Sequence, residues 1–91
     1  MGDNYVVVVF IHNTVSECHR VPYESACELF VNLAFNRISF RADLDCRSDF
    51  ITYSDDVIMV QLIGYIDDKL QKNITTLIDH LKSQKDDNID L

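Results

Sequence analysis

The 91-residue chain is poor in most of what recognisable chemistry requires. Its two glycines, Gly2 and Gly64, stand far apart, so no glycine-rich loop can cradle a phosphate. One proline, Pro22, and so little glycine argue for regular elements joined by short turns. Cysteine occurs three times, at Cys18, Cys27 and Cys46. An odd count without paired spacing does not read as a disulfide framework; it reads as reduced thiols in a cytoplasmic protein. Those cysteines and the three histidines also lack the two-to-five-residue spacings of structural zinc sites. No metal or other cofactor is therefore expected.

Positive charge is scarce as well. Eight Lys and Arg face fifteen Asp and Glu, a net charge of -7. Binding nucleic-acid phosphate needs clustered basic side chains, so direct nucleic-acid binding is not expected. The only local basic density is Arg20, Arg37, Arg41 and Arg47, with Tyr53 the single aromatic placed to interleave with it. Apolar runs are short. The longest, Tyr5 to Ile11 and Val57 to Ile66, fall well below the roughly 20 residues a spanning helix needs. The first residues, Gly2, Asp3 and Asn4, carry no positive charge of the kind that opens a secretory signal. Neither a membrane nor a secretory route is expected.

What is present is a regular pattern of elements. Tyr5 to Ile11 is a β-branched and aromatic run, expected as a central strand with both faces covered. His12 to Thr14 reads as a turn, with Asn13 able to take a positive φ. Val15 to Val21 reads as an edge strand ended by Pro22. Ser25 and Glu28 have capping-box spacing, which places a helix start at Ser25. Ala26, Leu29, Phe30, Leu33 and Ala34 then recur at helical spacing, and Asn36 is the expected terminator.

Arg37 to Asp45 alternates, with Ile38, Phe40, Ala42 and Leu44 on one face and Arg37, Ser39, Arg41 and Asp43 on the other. That predicts a strand with one wet face, on which Arg37 and Arg41 neighbour Asp43 and Asp45. Phe50 to Ser54 and Val57 to Ile66 are further strands, with Gly64 marking a bulge or a close backbone approach. Asp67 and Asp68 suit the start of a last helix, whose stripe is Leu70, Ile74, Leu77, Ile78 and Leu81. The expected fold is α+β in the order ββαβββα. A mostly antiparallel sheet of four to five strands carries two helices on one face. One domain spans 1–82, and 83–91 form a mobile acidic tail.

No assembled catalytic motif appears, and no enzyme activity is expected. Tyr65-Ile66-Asp67-Asp68 resembles the Tyr-x-Asp-Asp signature of reverse transcriptases over four residues. In that family paired acids hold magnesium, with a third carboxylate on another strand and far more chain than this. A helix cap accounts for Asp67 and Asp68 without metal.

The acids themselves carry the functional expectation. Asp43, Asp45, Asp49, Asp55, Asp56, Asp67 and Asp68 are the candidate partner-binding residues. A negative surface of this kind steers toward a basic surface on another protein and needs no chemistry of its own. The expected function is a small acidic inhibitor or adaptor of the kind phage, viruses and mobile elements encode. It would act as a nucleic-acid mimic by blocking a basic groove. The alternative is a structural protein that forms a homodimer through its edge strand.

Overall fold

A computed structural model describes residues 4–38 and 42–89. The chain runs β1 (Asn4–Ile11), β2 (Thr14–Pro22), α1 (Tyr23–Arg37), β3 (Asp43–Cys46), β4 (Phe50–Ser54), β5 (Ile58–Ile63) and α2 (Asp68–Ile89). The described strands form one antiparallel sheet in the order β2-β1-β5-β4-β3. The ββαβββα order and α+β class match the expectation from sequence. The two longest apolar runs supply the two adjacent inner strands β1 and β5, and β2 is an edge.

β1 and β2 join through His12 and Asn13, whose φ angles of 52° and 65° make the mirror-image turn that suits a two-residue hairpin. A register shift between Val9 and Phe10 leaves Ser16 as an extra residue on β2.

Alternation along each strand sorts the sheet into two faces. Tyr5, Val7 and Val9 of β1, Val60 and Leu62 of β5, and Ile51 and Tyr53 of β4 are buried on one side. They share a core with Ala26, Phe30, Leu33 and Ala34 of α1 and with Leu70, Ile74 and Ile78 of α2. Both helices therefore lie on that side. Tyr53 is fully buried, stacked on Phe35 at 5.5 Å between ring centres, with the Lys82 ammonium 5.5 Å from its ring centre. Lys82 also donates to the Ala42 carbonyl at 3.0 Å, tying α2 to the entry of β3.

Several local expectations are corrected. α1 starts at Tyr23, with Pro22 in extended conformation as its N-cap and no side-chain cap. The Ser25–Glu28 box is thus not at the helix start, because β2 hands directly to α1 without a loop. The expected strand from Arg37 to Asp45 begins only at Asp43. Arg37 is the last residue of α1, and Ile38 is a buried, extended C-cap whose amide donates to the Ala34 carbonyl. Ser39, Phe40 and Arg41 lie outside the described residues. β5 ends at Ile63 rather than Ile66. At Gly64, with φ 152°, an added Cβ would lie 2.3 Å from the Tyr5 ring, so the close approach inferred for this glycine is to Tyr5. α2 continues past Ser83 to Ile89, and residues 90 and 91 lie outside the described part.

Candidate functional site

The face of the sheet opposite the helices is apolar at its centre. Three rows cross it in register. Arg20, Val6, Ile63 and Phe50 form one; Cys18, Val8, Gln61, Thr52 and Asp45 the next; Val15, Phe10, Met59, Ser54 and Asp43 the third. Val6, Phe10, Phe50, Met59 and Ile63 stand outside the hydrophobic core that the helices close, while Val8, at the centre of this face, is itself buried at 6% exposure. Ile63 is 41% exposed and Val15 56%. Among the described residues no helix covers this side. In the middle row Gln61 donates to Thr52 at 3.3 Å, which joins β5 and β4 through a polar pair on an otherwise apolar floor.

The rims of this face differ in charge. Along β3, Asp43 and Asp45 alternate with Leu44 and Cys46, so both carboxylates edge the helix-free side while Leu44 and Cys46 pack on the core. Across the sheet, Arg20 and Cys18 edge it on β2. This side of the sheet thus has an apolar floor with one acidic wall.

The structure divides the seven predicted acids instead of gathering them. Asp43, Asp55 and Asp56 lie at the sheet end that holds the β1–β2 and β4–β5 turns, where the His12 amide donates to the Val57 carbonyl. Asp49, Asp67 and Asp68 lie at the other end, where Gly64 and Ile66 donate to the carbonyls of Asp49 and Ser48. Asp45 stands between these groups on β3.

Three of the seven have local structural work. Asp55 accepts the amides of Val57 and Ile58, each at 2.8 Å, and so closes the β4–β5 turn. Asp67 accepts the Leu70 amide at 2.7 Å as the N-cap of α2, and it also takes the Tyr23 hydroxyl at 3.1 Å. Asp45 pairs with Arg47 at 3.2 Å in the open.

Arg37, expected on the wet face of a strand beside Asp43 and Asp45, stands on a helix instead. Arg37, at the end of α1, pairs with Glu17 of β2, which also bonds His19 at 3.0 Å. The His19 hydrogen bond first, and then Arg37, hold the Glu17 carboxyl below its usual range. Arg41 lies outside the described residues. Tyr53, buried under the helices, presents no ring on which a base could stack.

Two of the three thiols, Cys27 and Cys46, pack against the core, and Cys18 is exposed. Burial pushes the Cys27 and Cys46 thiols up from their usual range, which favours the protonated form. Among the described residues no group of three His, Cys, Asp or Glu side chains could hold a metal ion. A shallow groove of about 600 Å³ between α1 and α2 is lined by Cys27, Lys72, Asn73, Thr76, Leu77 and His80. No described helix is long and apolar enough to cross a membrane.

Sequence reasoning missed the helix-free face as a site. Its signal lies in the uninterrupted apolar runs of β1 and β5, which by themselves predict two covered faces. Comparison with protein-family models, with curated proteins and with solved structures finds no match.

Proposed function

We propose that this protein is a small protein-binding module that acts by occupancy. Its docking surface is the helix-free face of the sheet. The observation that carries this reading is the apolar floor of Val6, Phe10, Phe50, Met59 and Ile63 around the buried Val8, walled on one side by Asp43 and Asp45. Interfaces centre on apolar contact and carry charge at the rim, and this face has both.

The partner is a protein whose apolar patch is bordered by Lys or Arg. The net charge of -7 steers encounter with such a surface, and the rim acids fix its orientation. A module of this kind works as an inhibitor or adaptor in the cytoplasm, covering a basic groove that would otherwise take nucleic acid. Of the seven acids, Asp43 and Asp45 are the direct contributors. Asp49, Asp55, Asp56, Asp67 and Asp68 contribute field from the two ends of the sheet.

Replacing both rim acids, Asp43→Asn with Asp45→Asn, tests the electrostatic part. A tenfold or smaller loss of affinity, mostly through slower association and with a flatter salt dependence, is expected for exposed rim charges. Unchanged affinity and unchanged salt dependence would remove the acids from the interface.

A further inference from the structure

The open edge of β2 carries a second inference, on a different surface from the helix-free face. We propose that two copies of this chain pair through β2 about a two-fold axis at Cys18, joining their sheets into one of ten strands.

The backbone sets which groups are available. His12 donates to the Val57 carbonyl in the same register that pairs β1 with β5. Antiparallel ladders alternate, so Phe10, Val8 and Val6 turn their backbone groups toward β5, and Val9, Val7 and Tyr5 turn theirs toward β2. Their partners Glu17, His19 and Val21 bond inward. Cys18 and Arg20 therefore point their amides and carbonyls outward, away from β1. At nine residues β2 is long for an edge, and no described strand pairs with its outer side. β3, at the opposite side of the sheet, has four residues and two Asp that repel a copy of themselves.

The side chains select the register. An axis at Glu17 would set Glu17 against its own copy. An axis at His19 would stack His19 on His19 and leave Glu17 opposite Val21. With the axis at Cys18, each Glu17, already held by its own His19 and Arg37, also faces the other copy's His19, twice by symmetry, so no like charges are opposed. Both residues bond inward to β1, so they meet across the new seam at a non-hydrogen-bonded position, where opposed side chains come closest. Cys18 meets Cys18 at a hydrogen-bonded position, with α-carbons about 5.5 Å apart, inside the range that short thiol cross-links span. The regular part of β2 supplies the central pairs, Glu17 to His19, and beyond them Arg20 of each copy faces the other's Ser16 at the bulge.

The test uses the full chain. Sedimentation equilibrium of the purified protein should show a concentration-dependent dimer, and a short bis-maleimide should link Cys18 to Cys18. Cys27 and Cys46, which pack against the core, should stay unlinked. Cys18→Pro removes an outward amide and no bond to β1, so the protomer keeps its fold. It deletes both reciprocal hydrogen bonds at the axis and should weaken the dimer roughly thirtyfold or more.

A strictly monomeric wild type, or a dimer that survives in folded Cys18→Pro, would overturn the proposal. If Cys18→Pro fails to fold, the cross-link in the wild type decides: linkage through Cys27 or Cys46, or none, overturns it. Met59→Lys, on the helix-free face, should leave the dimer intact, which separates this proposal from the docking face.

Discussion

Three residues carry roles that can be measured singly. Gly64 has the φ of 152° that L side chains rarely adopt, and its absent Cβ is the space the Tyr5 ring fills. Gly64→Ala should therefore lose more than about 1 kcal/mol in urea unfolding, beyond the ordinary cost of a positive-φ substitution, because backbone and ring must both shift. Asp67 caps α2 and takes the Tyr23 hydroxyl. Asp67→Ala should cost about 1–2 kcal/mol, and Asp67→Asn, which still caps, should cost less.

Burial pushes the Tyr53 phenol up to about 12 from its usual 10. Folding keeps its proton on while the unfolded chain releases it near pH 10. The stability this group contributes is thus complete below pH 10 and lost as pH rises from 10 toward 12. The slope is at most about 1.4 kcal/mol per pH unit. Alkaline unfolding followed by tyrosinate absorbance checks it, since Tyr53 should ionise together with unfolding. Asp67 was legible in the sequence because a cap signal is local. The ring that fills the space at Gly64 was not, because Tyr5 lies 59 residues away in the chain.

At the scale of elements, errors arose where two local patterns overlapped. Ser25 and Glu28 have the spacing of a cap, yet Pro22 ends β2 in an extended conformation and α1 begins at once. Ser25 is an exposed residue inside the first turns of the helix. Ser25→Ala should accordingly change stability by no more than about 0.5 kcal/mol, where loss of a working cap would cost about 1. Thermal melts distinguish the two.

Arg37 and Ile38 fit both the end of a helical stripe and the start of an alternating strand. The helix takes Arg37, where its charge suits the C-terminal dipole and reaches Glu17. Beyond Ser83 polarity alone suggested a tail. Gln and Lys are good helix formers, and α2 continues through them to Ile89. β1, β4 and the ββαβββα order were legible, because runs of β-branched residues and helical stripes need no long-range information; β2, with a mixed face, is marked only by the turn before it and by Pro22.

For the whole molecule, the sheet has one face closed by helices and one left apolar. Adjacent residues of β5 test that asymmetry directly. Leu62 is fully buried and Ile63 is 41% exposed. Leu62→Ala should cost about 2–5 kcal/mol, and Ile63→Ala about 1 or less, in the same unfolding assay. Equal losses would mean that the helix-free side is as tightly packed as the core. The candidate acids were legible as residues, but their separation into two ends of the sheet was not. Sequence proximity suggested a cluster, whereas the β3–β4 and β4–β5 turns point to opposite ends.

The most direct test of the docking face is affinity capture from the cells that make the protein, comparing three tagged forms. These are the wild type, a face variant carrying Met59→Lys and Ile63→Lys, and a helix-side control, Thr76→Lys. The account predicts one protein retained by the wild type and the control, released by high salt, and absent from the face variant. A partner held equally by all three forms, or lost only from Thr76→Lys, would contradict it and move the site to the helices.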